Sequence, residues 1–344
     1  MKKIILIVLS IILITIPAWG NAAAPSQDPE TNMVYFSDDT GISLMEEWIT
    51  FTIDEEGDQR AQVDVKYILK NIDNEGESIK LMFVGPGMAG DEANISADGK
   101  IIEDIRLVES NDIPENWQSV EDINIYEPVS GKLLERGFSG YGRGTYEDKG
   151  YEFSIDIPLG ETVELEIQYE SWGGYYSYNE VVNDVNTQIY YLTPAKYWKG
   201  DAKVNMAVVF PNDNYEIHSN IDLKKIDENT YSTVLNEIPE EEWYFNYVSR
   251  EGLTFGTNFI NTHNKIAAVI VLLTAVLGFY LMKKKKRVLS ILIFLLIIPE
   301  FFLLRFSGYG GLILLFVGIP IVLISAVVVG LIKLYLRKRD KNTI

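Results

Sequence analysis

The sequence predicts a mainly β protein: an antiparallel β-sandwich ectodomain, one large or two small, followed by three transmembrane helices. Three observations carry this. Apolar and polar residues alternate with period two through much of residues 25–252, long apolar runs stand only at the two ends, and charge divides the chain in the same places. Residues 25–264 hold 16 Lys and Arg against 47 Asp and Glu, whereas residues 265–344 hold 12 against 2. A chain polarised in this way is two physical objects joined end to end.

Residues 1–24, MKKIILIVLSIILITIPAWGNAAA, combine a basic start, an apolar run and small residues at the end, the build of a secretory signal peptide. Pro25 directly after the small-x-small site at Ala22–Ala24 blurs the cut, and an uncleaved N-terminal anchor is the competing reading. The chain has no cysteine, which excludes disulfides, thiolate metal sites and lipid attachment through sulfur.

The ectodomain follows as residues 25–252. In ITFTIDEEGDQRAQVDVKYIL, Ile49, Phe51 and Ile53 alternate with polar residues. After an acidic Gly turn, Ala61, Val63, Val65, Tyr67 and Leu69 do the same. FSIDIPLGETVELEIQY repeats the design, with Phe153, Ile155, Ile157 and Leu159 before a turn at Gly160-Glu161 and Val163, Leu165, Ile167 and Tyr169 after it. Each is a hairpin with one buried face. AKVNMAVVFP adds a strand through Val204, Met206, Val208 and Phe210. Residues 85–150, rich in Gly, Asn and Asp, read as long loops between sparse strands. Alternation lapses at 171–184, which marks a seam. Strands broken by Gly, Pro and Asn turns, without helical periodicity, argue for antiparallel sandwiches.

Two stretches, YYLTPAKYWKGDAKVNMAVVFP and IPLGETVELEIQYE, resemble parts of a family of exported bacterial β-rich domains with no assigned activity. In that family a Trp-x-Gly precedes an alternating strand ending in Phe-Pro, matched here by Trp198, Gly200, Phe210 and Pro211. The resemblance covers most of residues 30–250 and implies fold and export, without catalytic residues to carry over.

Residues 253–265 form a polar tether to the membrane. Apolar runs at 266–282, 288–306 and 312–336 count 17, 19 and 25 residues, and about 20 span the hydrocarbon core. The basic loop Lys283, Lys284, Lys285, Lys286 and Arg287 and the tail 337–344 should stay in the cytoplasm, with the turn 307–311 and the ectodomain outside. The expected place is therefore the bacterial cell membrane, multi-pass, with lipid as one partner. The basic loop reads first as a topology signal and second as an anionic-lipid or regulatory site.

Few catalytic chemistries fit. The two histidines, His218 and His263, stand in neighbourhoods that suggest neither a zinc site nor a triad. Asn71–Met82 starts like an EF-hand loop, but position 12 is Met82, where a bidentate acid is needed. No cofactor is expected. An irregular calcium site in the acidic turns stands as the alternative to plain solvated hairpin turns.

Glu240, Glu241 and Glu242 beside Trp243, and Glu147 with Asp148, are candidate carboxylate pairs for an envelope hydrolase. The aromatic loop Trp172, Tyr175, Tyr176 and Tyr178 is a candidate ligand-binding surface, because rigid rings give area at low entropy cost; the other reading has the rings capping the core. Glu300 and Arg305 are ionisable residues inside the second span, candidates for structural pairing, a solute path or a partner contact. The acidic field disfavours nucleic acid.

The functional expectation is a membrane-anchored extracytoplasmic β-domain with a binding, sensing or accessory role in a cell-envelope complex. It would be non-enzymatic and would meet a membrane-protein partner or an envelope ligand. The hydrolase is the alternative.

Overall fold

A computed structural model describes residues 24–27, 34–37, 41–54, 59–72, 77–86, 88–108, 123–134, 148–176, 180–301 and 303–305. The expected signal peptide (apart from Ala24), external turn, third span and cytoplasmic tail lie outside the described residues. The protein is mainly β, with several sheets, and two α-helices and a short 3-10 helix, Thr193–Tyr197, are described.

In chain order the strands are β1 (Ala24–Gln27), β2 (Val34–Ser37), β3 (Ile42–Ile53), β4 (Arg60–Asn71), β5 (Glu77–Pro86), β6 (Met88–Ala97), β7 (Lys100–Ile101), β8 (Arg106–Val108), β9 (Tyr126–Glu127) and β10 (Lys132–Leu133). They continue as β11 (Asp148–Ile157), β12 (Thr162–Trp172), β13 (Gly174–Tyr176), β14 (Val185–Tyr190), β15 (Lys203–Val209), β16 (Tyr215–Ser219), β17 (Lys224–Lys225), β18 (Thr230–Leu235) and β19 (Trp243–Ser249). The largest sheet runs β17-β18-β15-β3-β4-β12-β6-β7. A three-stranded sheet, β5-β11-β8, and a four-stranded sheet, β13-β14-β19-β16, accompany it.

One hydrophobic cluster joins all three sheets. It takes Phe51, Val63 and Ile167 from the large sheet, Phe83 and Ile155 from the three-stranded one, and Trp243 and Phe245 from the four-stranded one. The alternation seen in the sequence is the cause. Every second residue of β12 is buried while its neighbours meet water, so burial of one face fixes the register against β4 over Thr162–Trp172. Gly160, with φ of 72°, makes the left-handed step that turns β11 into β12, and Leu159, expected on the buried face, lies past the end of β11 at this turn and is 55% exposed.

Phase changes once in β3. A bulge at Met45 shifts the pairing with β4 between Leu44 and Glu46. Upstream of it Ile42 and Leu44 face inward; downstream the inward set is Glu47, Ile49, Phe51 and Ile53. A glutamate thereby enters the core.

The contrast between faces is measurable. Ile155→Ala should cost about 2–5 kcal/mol, because three buried side-chain carbons and their contacts are lost. Glu164→Ala gives up an exposed 3.4 Å pair with Lys66, and should cost under about 1 kcal/mol. Urea melts of residues 25–252 compare the two, and equal costs would mean the period-two assignment is wrong.

Residues 178–182 and 253–344 form a second compact unit. Its first helix, Ile260–Lys283, has 24 residues. At about 1.5 Å per residue it exceeds the roughly 30 Å of a hydrocarbon core. It is the one helix among the described residues long and apolar enough to cross a membrane. It starts six residues before the expected span and takes in the end of the tether. Two polar residues there bond to the chain just after the second helix: His263 is buried with Nε2 2.8 Å from the Leu303 carbonyl, its Nδ1 without a partner among the described residues, and Asn264 exchanges two hydrogen bonds with the backbone of Arg305.

The second helix, Arg287–Phe301, follows a turn at Lys284–Lys286. Small residues seat it. A Cβ on Gly278 would lie 2.8 Å from the Phe294 ring, and Ser290 Oγ donates to the Gly278 carbonyl at 2.8 Å.

Candidate functional site

The aromatic stretch does not form one platform. Trp172 ends β12 on its outward parity and is 48% exposed. Its indole N–H donates to Glu170 Oε1 at 2.9 Å, and the Arg60 guanidinium lies 5.9 Å from the ring centroid. Gly173 must be glycine, since a Cβ there would sit 2.1 Å from the Thr187 carbonyl oxygen. In β13 Tyr175 is half-buried and Tyr176 is buried, because successive strand residues point to opposite faces. Tyr178 lies outside the described residues.

A second tryptophan, missed by the sequence reading, shares the arrangement of Trp172. Trp48 in β3 is 44% exposed, and its indole N–H donates to Glu46 Oε2 at 3.0 Å. Both sites carry Glu-x-Trp on the outward parity of a strand, a signal that was visible in the sequence.

The carboxylates divide sharply. Glu47 is wholly buried. Tyr190 donates its hydroxyl proton to Glu47 Oε1 at 2.9 Å, and the Tyr67 hydroxyl lies 3.0 Å from that of Tyr190. Glu47 Oε2 has no hydrogen-bond partner among the described residues. Burial pushes the carboxyl up to about 8; the tyrosine hydroxyls pull it part of the way back, and the charge of Glu242 adds to the rise. Both tyrosines are themselves pushed well above the ordinary phenol value by burial and the neighbouring acid.

Glu242, just before β19, is half-buried. The backbone N–H of Thr193 donates to its Oε2 at 3.0 Å, and the Thr193 hydroxyl to its Oε1. Burial pushes Glu242 up to about 7 against these bonds and Lys196. Of the acids singled out beside Trp243, Glu240 is exposed and paired with Lys196 at 2.8 Å, and Glu241 is exposed. Glu242 acts on Glu47, from a distant strand, only through its charge, which adds to the rise of the Glu47 carboxyl. Glu47 has no exposed surface, whereas Glu242 keeps some.

The His218 ring packs against that of Tyr126, 4.5 Å between centroids and tilted by 34°. Among the described residues no three His, Asp or Glu side chains gather into a metal-holding group, and the turn at 73–76 considered for calcium lies outside them. In the helical unit Glu300 Oε1 accepts from Thr274 Oγ1 at 2.7 Å. That tie comes from the facing helix, where the sequence suggested Arg305. Lys283–Arg287 surround the turn between the helices and are exposed.

No known protein-family model matches the chain, and no curated protein sequence is similar to it. Among solved structures, a protein of Legionella pneumophila described as nutrient-binding is similar at 12% identity and a TM-score of 0.42, over 67% of this chain and 72% of that one. An M1 zinc metallopeptidase from Deinococcus radiodurans is similar at 10% and 0.30, over 61% of this chain and 43% of its own. The leukotriene A4 hydrolase of yeast is similar at 9% and 0.35, over 64% and 31%. The chain spans less than half the length of either enzyme. At this similarity the matches assign no activity.

Proposed function

We propose that the chain is a membrane-anchored, extracytoplasmic β-sandwich that recognises a ligand or partner in the cell envelope and catalyses nothing. In this reading the ectodomain stands outside a bacterial membrane on three spans, and Lys283–Arg287 holds the first helical hairpin to the cytoplasmic face.

One observation carries the recognition reading: the raised acids and the open aromatics occupy different places. Glu47 is sealed in the core, where it cannot reach a substrate, whereas Trp48 and Trp172 are presented to solvent in fixed orientations. Rigid, exposed indoles are suited to contact.

The test sets recognition against hydrolysis. The full chain in detergent is incubated with purified envelope polysaccharide, and new reducing ends are counted for the wild type and Glu242→Gln. The proposal expects no release from either. Release by the wild type that is abolished in Glu242→Gln would overturn it in favour of the hydrolase.

A further inference from the structure

Trp48 and Trp172 lie on the same outward face of the large sheet. Trp48 pairs with Lys66 of β4, and Lys66 pairs with Glu166 of β12. Trp172 is six residues further along β12, opposite Arg60, with unbroken register between. An even separation keeps the same face. The indoles therefore stand about 20 Å apart along the strands and about 10 Å across them, by the ordinary strand rise and spacing.

Between them the face is polar. Thr50, Thr52, Gln62, Asp64 and Gln168 point the same way, half-buried or exposed. Short hydroxyl, amide and carboxylate groups form a lane of donors and acceptors with an indole at each end. Both indole N–H groups are already bonded to a glutamate two residues upstream, so each ring offers its apolar surface, with the Arg60 guanidinium over one face of Trp172.

We infer that this face is a binding platform for an extended, uncharged polysaccharide strand. The inference rests on the recognition reading above and names its ligand class. Sugar rings present C–H faces to stack on indoles, and their hydroxyls match a lane of amides, hydroxyls and carboxylates. The separation of the indoles requires a ligand several rings long, laid diagonally across three strands. Glu46, Asp64, Glu166 and Glu170 outnumber Lys66 and Arg60 on the same face, which repels an anionic polymer.

Binding of the full chain in detergent to chitohexaose and to cellohexaose, read by tryptophan fluorescence and affinity electrophoresis, tests this. Polygalacturonate serves as the anionic control. The wild type should bind the two uncharged probes and not the anionic one. Trp48→Ala and Trp172→Ala should each weaken binding about tenfold, the usual effect of truncating an aromatic anchor. Trp172→Tyr should retain most of it, and Ile226→Ala, at an exposed site away from the face, should change nothing. Unaltered unfolding midpoints would show that the variants fold.

Glycan binding undiminished in the double alanine variant would overturn the platform and leave the recognition reading intact. Failure of the wild type to bind either uncharged probe would also overturn it, whatever protein partners the chain proves to have. Cleavage of the probes, lost in Glu242→Gln, would instead overturn the recognition reading itself.

Discussion

Replacing Phe51 with alanine should destabilise the ectodomain by about 3–5 kcal/mol, among the largest costs a single truncation can have. Phe51 is wholly buried at the centre of the shared core. It meets Trp243 and Phe245 edge-on at 5.4 and 5.2 Å, and Tyr190 at 6.4 Å. Removing it takes away apolar area, leaves a cavity and breaks three ring contacts that link the large sheet to the four-stranded one. Urea midpoints of residues 25–252 measure the loss. A cost under about 1 kcal/mol would mean that these sheets do not share a core.

The second large effect is a pH dependence. Glu47 has an ordinary value of 4.5 and is held at about 8 in the fold, so the folded state keeps a proton that the unfolded state loses between those values. Its contribution to stability is fully present below 4.5 and is lost as pH rises through about 8. Glu242, raised to about 7, acts in the same direction. The ectodomain should therefore lose stability, on the order of several kcal/mol, from pH 5 to pH 9. Glu47→Gln keeps the shape and removes the titrating proton, and should flatten most of this slope. Thermal melts at closely spaced pH values decide it; an identical slope in the variant would place the linkage elsewhere.

Much of the fold was legible because its signals are local. The β3–β4 and β11–β12 hairpins follow from alternation and a short turn, and both turns join neighbouring segments of chain. The parallel pairing of β15 with β3 was not legible. It joins segments over 150 residues apart, and nothing in either strand alone specifies its distant neighbour.

Glu47 could have been found. Stepping back in twos from Ile53, Phe51 and Ile49 places it inward, but the inward Leu44 and Ile42 follow the other parity and hide the phase until the Met45 bulge is known. The aromatic loop was read by composition, which sees four rings and not their faces. Strand parity separates Tyr175 from Tyr176, a change of strand separates both from Trp172, and parity also brings in Trp48, which stands alone in composition.

The claim on which the rest depends is that the acidic β unit and the basic turn lie on opposite sides of a membrane. Cysteine placed at Ser37 in β2 or at Lys285 in the turn gives each side a unique thiol, because the chain has none of its own. Intact cells expressing the full chain are treated with a membrane-impermeant maleimide before and after permeabilisation. The account predicts labelling at position 37 in intact cells and at position 285 only after permeabilisation. Labelling of 285 in intact cells, with 37 protected, would contradict it.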